Sequence, residues 1–272
     1  MESDVAVIMP TYQRPISLPH AIESVVRQTY QKWKLYVIGD GDDKVSEDIV
    51  KGYIKKFRSR IVWHNMPQNH GGIHTNKIVQ RGDTGACARN TAFFMSKEPY
   101  IAYLDDDDSY RSNHLALLMG AIIPYKFDFV FSRGNVWRKP NIKANRPGIV
   151  GGPAPGLARI GTNSFIHTRR IAQKILIPVG DKVTVPLTGK TWPAGTKVLR
   201  FECCRNKPGI LWLPAKICDG CHDWDLIKRM MSKGARWKHM PKVTYDIYWD
   251  ISQEQFKEFV LKNPVHRRST MR

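Results

Sequence analysis

From Val5 to Phe131 the chain switches repeatedly between two periods. Short apolar runs at 5–8, 35–38, 61–63, 100–104 and 127–131 alternate with stretches whose apolar residues recur at helical spacing. Ile22, Val25 and Val26 form one such stripe, Ile49, Val50, Tyr53, Ile54 and Phe57 a second, and Leu115, Leu118, Met119 and Ile122 a third. Apolar runs this short, bounded by turn residues, suit strands buried on both faces, and helical stripes between them imply crossover connections. The pattern predicts an α/β fold, a three-layer α/β/α core around a mostly parallel sheet. Ser17 is expected to cap the first helix and Ser46 to start the second, with Glu47 and Asp48 at its positive end. Residues 85–96 are expected to form a further helix.

Three strand ends are polar: Pro10-Thr11-Tyr12-Gln13-Arg14, Gly39 to Asp43, and Asp105-Asp106-Asp107-Asp108. Ligands of open α/β sheets bind beyond the carboxyl ends of the strands. The four aspartates follow directly on Tyr100 to Leu104. Adjacent carboxylates raise each other's pKa unless a cation neutralises them. Mg²⁺ and Mn²⁺ take carboxylate and phosphate oxygens together, so the cluster suggests a metal-bridged diphosphate. The competing reading is a solvated acidic turn.

The second part of the chain differs in character. Residues 133–160, rich in Gly, Pro and basic side chains, read as a long loop, and 182–201 as a hairpin. A helix is expected over 223–232, a strand at 243–247 and a helix at 252–261, before a basic tail. Residues 1–120 carry 15 Lys/Arg and 14 Asp/Glu, whereas 121–272 carry 28 and 10, so nearly all of the net charge of +19 lies after the aspartates. Such a field attracts polyanions: nucleic acid, an anionic glycan or an anionic membrane surface. No apolar run approaches the ~18 residues of a membrane span. The acidic start leads straight into a strand and is not read as a signal peptide. Five cysteines, an odd number, give no disulfide framework, and a cytoplasmic location, host-cell cytoplasm if viral, is the simplest expectation.

Four of these motifs, in order, resemble glycosyltransferase family 2 with the GT-A fold. They are Pro-Thr-Tyr-x-Arg after the first strand, the Asp40-Gly41 turn after the second, Gly85-Ala86-Cys87-Ala88-Arg89-Asn90 at a helix start, and the aspartate cluster. Downstream, His222-Asp223-Trp224-Asp225-Leu226 is similar to the family's Glu-Asp-Trp/Tyr-x-Leu, with His in place of Glu. The resemblance implies one domain over 1–272, its 1–120 half binding a nucleotide-diphosphate sugar and its 121–272 half binding the acceptor. It implies that Pro10, Thr11, Tyr12 and Arg14 line the base and phosphate pocket, that Asp40 hydrogen-bonds the base and that Arg89 faces the nucleotide. Asp105 would contact the ribose and the metal shell, Asp107 would ligate Mn²⁺ or Mg²⁺, and Asp106 is an alternative ligand. Asp223 would be the general base of an inverting transfer, with Asp225 as fallback and Trp224 as core or sugar platform.

Other groupings are weighed against this frame. Cys218-x-x-Cys221-His222 matches a haem-attachment pattern, but haem would crowd Asp223. A structural Zn²⁺ at Cys203, Cys204, Cys218 and Cys221 competes with plain buried thiols. His70 and His74 are read as donor contacts or ordinary loop residues, and His239 as a group that could approach the metal. Trp137 amid Arg133, Arg138, Lys139 and Lys143 mixes aromatic and basic groups as nucleic-acid surfaces do. A modified base in DNA is therefore the first acceptor expected, and a lipid-linked or cell-surface glycan, with peripheral membrane association, the second. From other classes, a nucleotidyltransferase would need glycines between Pro10 and Arg14, and a non-catalytic nucleic-acid-binding protein would not explain the polar strand ends.

Overall fold

The computed structural model describes residues 4–41, 43–67, 85–138, 147–156, 159–179, 182–186, 189, 191–193, 207–213, 218, 222–249 and 251–262. His70, His74, Cys203, Cys204, Cys221, Lys139 and Lys143 lie outside them. The strands are β1 (Val5–Thr11), β2 (Trp33–Gly39), β3 (Ile61–Asn65), β4 (Tyr100–Tyr103), β5 (Ser109–Tyr110), β6 (Phe129–Trp137), β7 (Gly148–Val150), β8 (Phe165–Thr168), β9 (Lys182–Thr184), β10 (Thr191–Pro193) and β11 (Trp237–Tyr248). The helices are α1 (Ser17–Val26), α2 (Lys44–Phe57), α3 (Ala86–Met95), α4 (His114–Tyr125), α5 (Arg169–Lys174), α6 (His222–Ser232) and α7 (Gln253–Lys262).

Among the described residues one sheet runs β3-β2-β1-β4-β8-β6-β11-β5, with β7 beside β6. β3, β2, β1, β4, β6 and β11 share one direction, and β5, β7 and β8 run against it. The carboxyl ends of β1, β2, β4, β6 and β11 therefore meet at one edge. Along β1 the side chains alternate between faces. Ala6 and Ile8 join α3, α5 and α6 in one apolar layer, while Val5, Val7 and Met9 join α1, α2 and α4 in the other. This is the expected α/β/α sandwich, with each layer closing one side of the sheet. β9 and β10 form a hairpin within the expected 182–201, of which residues 194–201 lie outside the described ones, and Val183 and Val185 pack with Ile177, Ile210, Leu213 and Cys218.

Several local expectations give way. Ser17 is the first residue of α1 rather than its cap. The Gln253 carboxamide oxygen, from α7, instead accepts the backbone N–H groups of Ile16 and Ser17 at 3.0 Å each. α2 starts at Lys44, two residues before Ser46, because the Asp43 side chain accepts the Ser46 N–H at 3.1 Å. The long loop at 133–160 is in its first part strand: β6 continues to Trp137. Gly134 suits a strand here because a Cβ on it would collide with the Tyr245 ring of paired β11. Trp137 is buried, packs on Phe259, and donates its indole N–H to Asp246 at 2.9 Å. It is a core residue and offers no stacking face to a nucleic acid.

Candidate active site

The loop after β1 and the aspartates after β4 are tied together. Leu104 N–H bonds Ile8 O at 3.0 Å, which continues the β1–β4 pairing to the start of the cluster. Tyr12 N–H then donates to Asp106 Oδ2 at 3.2 Å, and Arg14 Nη2 reaches Asp107 Oδ2 at 3.5 Å. Gln13, in left-handed backbone at φ 53°, donates its N–H to Asp43 Oδ2 at 2.6 Å. Asp43 thus holds the β1 loop and the α2 N-terminus at once. Asp40 is buried at the end of β2, its N–H on Thr11 O at 2.9 Å. Thr11 is buried beside it. Where the family has its first Asp of the turn, this chain has Gly39. A Cβ at that position would meet Asn65 and lie 2.6 Å from the Trp63 ring.

Arg89 enters from α3. Gly85, at φ +80°, caps that helix, and a side chain there would press on Arg89 and Pro10. Glycine is suited to this backbone and this close approach. Arg89 is buried and pairs with Asp105 at 2.6 Å, as a buried cation requires. Asn90, the last residue of the same motif, pins the segment opposite. Its Oδ1 accepts the N–H groups of Leu211 and Trp212 at 3.0 and 2.9 Å, and its Nδ2 donates to Trp212 O at 2.9 Å.

Four residues complete the site without having been singled out in the sequence. Asn163, buried after a short 3₁₀ turn, accepts Asp105 N–H at 2.7 Å and donates to Asp108. Tyr248 N–H donates to Asp108 Oδ1 at 2.9 Å. Trp212 lies between Arg89, whose guanidinium carbon is 5.0 Å from its ring centroid, and His222, at 5.4 Å between centroids. Tyr245 packs its ring over Gly134. Asn163, Trp212 and Tyr248 fall in no run with a readable period, and Tyr245 lies in the strand expected at 243–247.

Burial, then repulsion from Asp107, pushes the Asp106 carboxyl up to about 7. Burial, then Asp107 and Asp105, raises Asp108 well above the usual range. Burial, then the Arg89 charge, lowers His222 to about 3, so the group in the family's Glu position is a neutral imidazole. Asp223 is half-buried at the start of α6, with Trp224 N–H on its Oδ1 at 2.7 Å. Burial first, and after it the charges of Asp108 and Asp223, raise Tyr245.

The fallback Asp225 is fully buried in an ion pair with Arg229 at 2.8 Å. Arg229 also donates to Ile175 O and Leu211 O at 2.9 and 2.6 Å, so Asp225 is part of an internal brace with no acceptor access. Trp224 packs against the core. His239 sits near the start of β11 against Phe131, at 5.0 Å between rings, away from the Tyr248 end that touches the aspartates.

Among the described residues no three His, Cys, Asp or Glu side chains converge as a metal cage. Mg²⁺ beside a nucleotide needs only one or two carboxylates, with phosphate and water supplying the rest. Asp107, whose side chain is 36% exposed, and Asp105, at 29%, fit that requirement. Of the four cysteines weighed for zinc only Cys218 is described, a buried thiol in an apolar cluster.

The model of the family described as glycosyl transferase family 2 matches residues 6–180. The chain is 30% identical over 128 residues to the UDP-Glc:alpha-D-GlcNAc-diphosphoundecaprenol beta-1,3-glucosyltransferase WfgD of Escherichia coli, covering 47% of this chain and 44% of that protein. The structure of S. aureus TarS residues 1–349 superposes with a TM-score of 0.58 at 16% identity, covering 98% of this chain and 65% of that one. The mannosyltransferase PcManGT from Pyrobaculum calidifontis, in complex with GDP-Man and Mn²⁺, gives 0.55 at 13% identity, covering 99% and 70%. The chain thus spans less than half of WfgD and has the GT-A fold of these structures.

Proposed function

The chain belongs to glycosyl transferase family 2, and from that premise we propose that it is an inverting, metal-dependent glycosyltransferase. It moves a sugar from a nucleotide-diphosphate donor to a hydroxyl of a glycan acceptor, lipid-linked or polymeric. The observation that carries this reading is the convergence of two halves of the chain on one edge. Arg89 is held on Asp105 at 2.6 Å, and Trp212 stands between the Arg89 guanidinium, 5.0 Å from its ring centroid, and the His222 ring at the start of α6, 5.4 Å between centroids. Nucleotide-side groups and the start of α6 therefore share one site.

In this reading Asp40 hydrogen-bonds the base, Pro10, Thr11, Tyr12 and Arg14 line the base and phosphate pocket, and Arg89 steadies the nucleotide. Asp105 holds the ribose and, with Asp107, the cation. Arg14 rests on Asp107 at 3.5 Å, which keeps its guanidinium beside the place the phosphates would take. A Mn²⁺ or Mg²⁺ ion held by Asp105 and Asp107 would supply charge neutralisation for a departing diphosphate. Asp223 takes the proton from the acceptor hydroxyl as its oxygen attacks the anomeric carbon from the face opposite the leaving group. Direct displacement inverts that centre.

The glycan acceptor is preferred to the DNA base expected first. The aromatic residue on which the nucleic-acid reading leaned, Trp137, is in the core. WfgD, by its name, uses a lipid-diphosphate-linked sugar, whose diphosphate gives the basic 121–272 half an anionic group to meet. Among the described residues no helix is long and apolar enough to cross a membrane, and a peripheral, charge-driven approach to an anionic membrane suits such an acceptor. The test is nucleotide release from UDP-Glc, UDP-GlcNAc and GDP-Man, with and without Mn²⁺, for wild type and Asp107→Ala. Metal-dependent release by wild type alone is expected. Release that Asp107→Ala leaves intact would refute the metal assignment.

A further inference from the structure

We infer that Trp249 and Arg138 form an acceptor subsite for a saccharide ring bearing a neighbouring phosphate or carboxylate. This rests on the glycosyl-transfer reading and adds to it the residues that recognise the second substrate.

β6 and β11 are parallel and in register at their ends, Val136 opposite Ile247 and Trp137 opposite Tyr248. The next residues, Arg138 and Trp249, therefore leave the sheet side by side, at the edge where the aspartates lie. Trp249 is 52% exposed. Its position is fixed from below. Its N–H donates to Trp137 O at 2.9 Å, and Trp137 and Tyr248 are buried with Phe256, Phe259 and Val260. The Arg138 guanidinium carbon stands 5.0 Å from the indole centroid. One residue before Trp249, the Tyr248 N–H holds Asp108. The exposed indole is thus next in the chain to the group that anchors the aspartate cluster.

The half-exposed indole, with Arg138 beside it, offers a flat apolar surface with a polar edge. The C–H face of a pyranose is flat, apolar and of matching size. A guanidinium beside it offers a planar fork for phosphate or carboxylate oxygens. The surrounding half of the chain, 28 basic residues against 10 acidic, favours an anionic ring over a neutral one. A nucleobase could stack on the same indole, which makes nucleic acid the alternative to be measured.

Calorimetric titrations with Mn²⁺ and UDP present, to fill the donor site, would use N-acetylglucosamine 1-phosphate, tetragalacturonate, neutral chitotetraose and oligothymidine. The two charged saccharides should bind wild type. Trp249→Ala should weaken both by about tenfold. Arg138→Ala should weaken the charged saccharides and leave chitotetraose unchanged. The phosphate and carboxylate arms separate the two sources of charge. Donor hydrolysis by the same preparations should be unaffected by either substitution, which also reports intact folding. Absent hydrolysis in wild type defeats the glycosyl-transfer reading. The subsite is overturned, with hydrolysis intact, if wild type binds neither charged saccharide, if Trp249→Ala binds them equally well, or if oligothymidine binds more tightly than both through Trp249.

Discussion

The backbone N–H of Tyr248 donates to Asp108 Oδ1 at 2.9 Å across 140 residues of sequence. Asp108 is also held by Asn163, which accepts the Asp105 N–H at 2.7 Å with its other amide atom. The first and last aspartates of the cluster are therefore set by residues from the second half of the chain, and the two between them meet Tyr12 and Arg14.

Asn163 needs both an acceptor and a donor to serve this bridge. Asn163→Leu should lower stability by about 1–3 kcal/mol through the unpaired buried groups it leaves. It should also raise the Mn²⁺ concentration needed for nucleotide release, because Asp105 loses its anchor. Denaturant titration and Mn²⁺ dependence of release measure the two effects separately.

Asp223 and Asp225 should part company. Asp223→Asn is expected to keep the fold and donor binding while transfer to acceptor falls by about 10²-fold or more, the usual scale for loss of a general base. Asp225→Asn should instead cost roughly 3–5 kcal/mol of stability, since it strands Arg229 as a buried charge. Equal thermal stability of the two variants would contradict this division.

His114 and His167 give the fold an acid-sensitive component. Burial lowers His114 to about 3 and His167 to about 4. His167 Nδ1–H faces the Thr168 carbonyl and its Nε2 accepts from Tyr103, which fixes a neutral tautomer. Both folded values lie below the unfolded one, so this stability is complete above about pH 6.5 and is lost as pH falls toward the folded values. Each histidine should steepen the fall in unfolding free energy by up to about 1.4 kcal/mol per pH unit within that window. His114→Gln should flatten the profile by one proton, read from urea midpoints between pH 4.5 and 7.

The Gln253 side chain should matter to α1 as a cap does. Gln253→Ala leaves the Ile16 and Ser17 N–H groups unpaired and should cost about 1 kcal/mol. Exchange of those two amides should accelerate, while the aspartate cluster is unaffected.

The layered core was legible because period does not depend on distant partners. Ala6 and Ile8 take one face and Val5, Val7 and Met9 the other, as alternation in a strand dictates. The strand-end motifs were legible for the same reason: Tyr12, Arg14, Arg89 and the aspartates converge as their positions after β1, within α3 and after β4 require. What stayed hidden depends on long-range contact. Gly134 resembles loop until the Tyr245 ring is seen above it, and Trp137 resembles a surface aromatic until Asp246 is found to hold its N–H. Asp225 could not be told from Asp223 by spacing alone, since the distinction is made by Arg229 and the carbonyls it bonds. Asn163 carries no local signal, because its partners lie 55 and 58 residues away.

β11 lies between β6 and β5, so a strand made late in synthesis separates two made earlier. While the ribosome is still adding residues before Trp237, the two-residue β5 has no neighbour and Asp108 has no backbone donor from Tyr248. The nascent chain can assemble β1 to β4 and still lack a finished carboxylate edge. Order of synthesis thus sets a schedule: Asp105, Asp106 and Asp107 meet partners made before β11, and Asp108 alone waits for Tyr248. A product truncated before β11 accordingly lacks the Tyr248 donor to Asp108 altogether, rather than holding it more weakly.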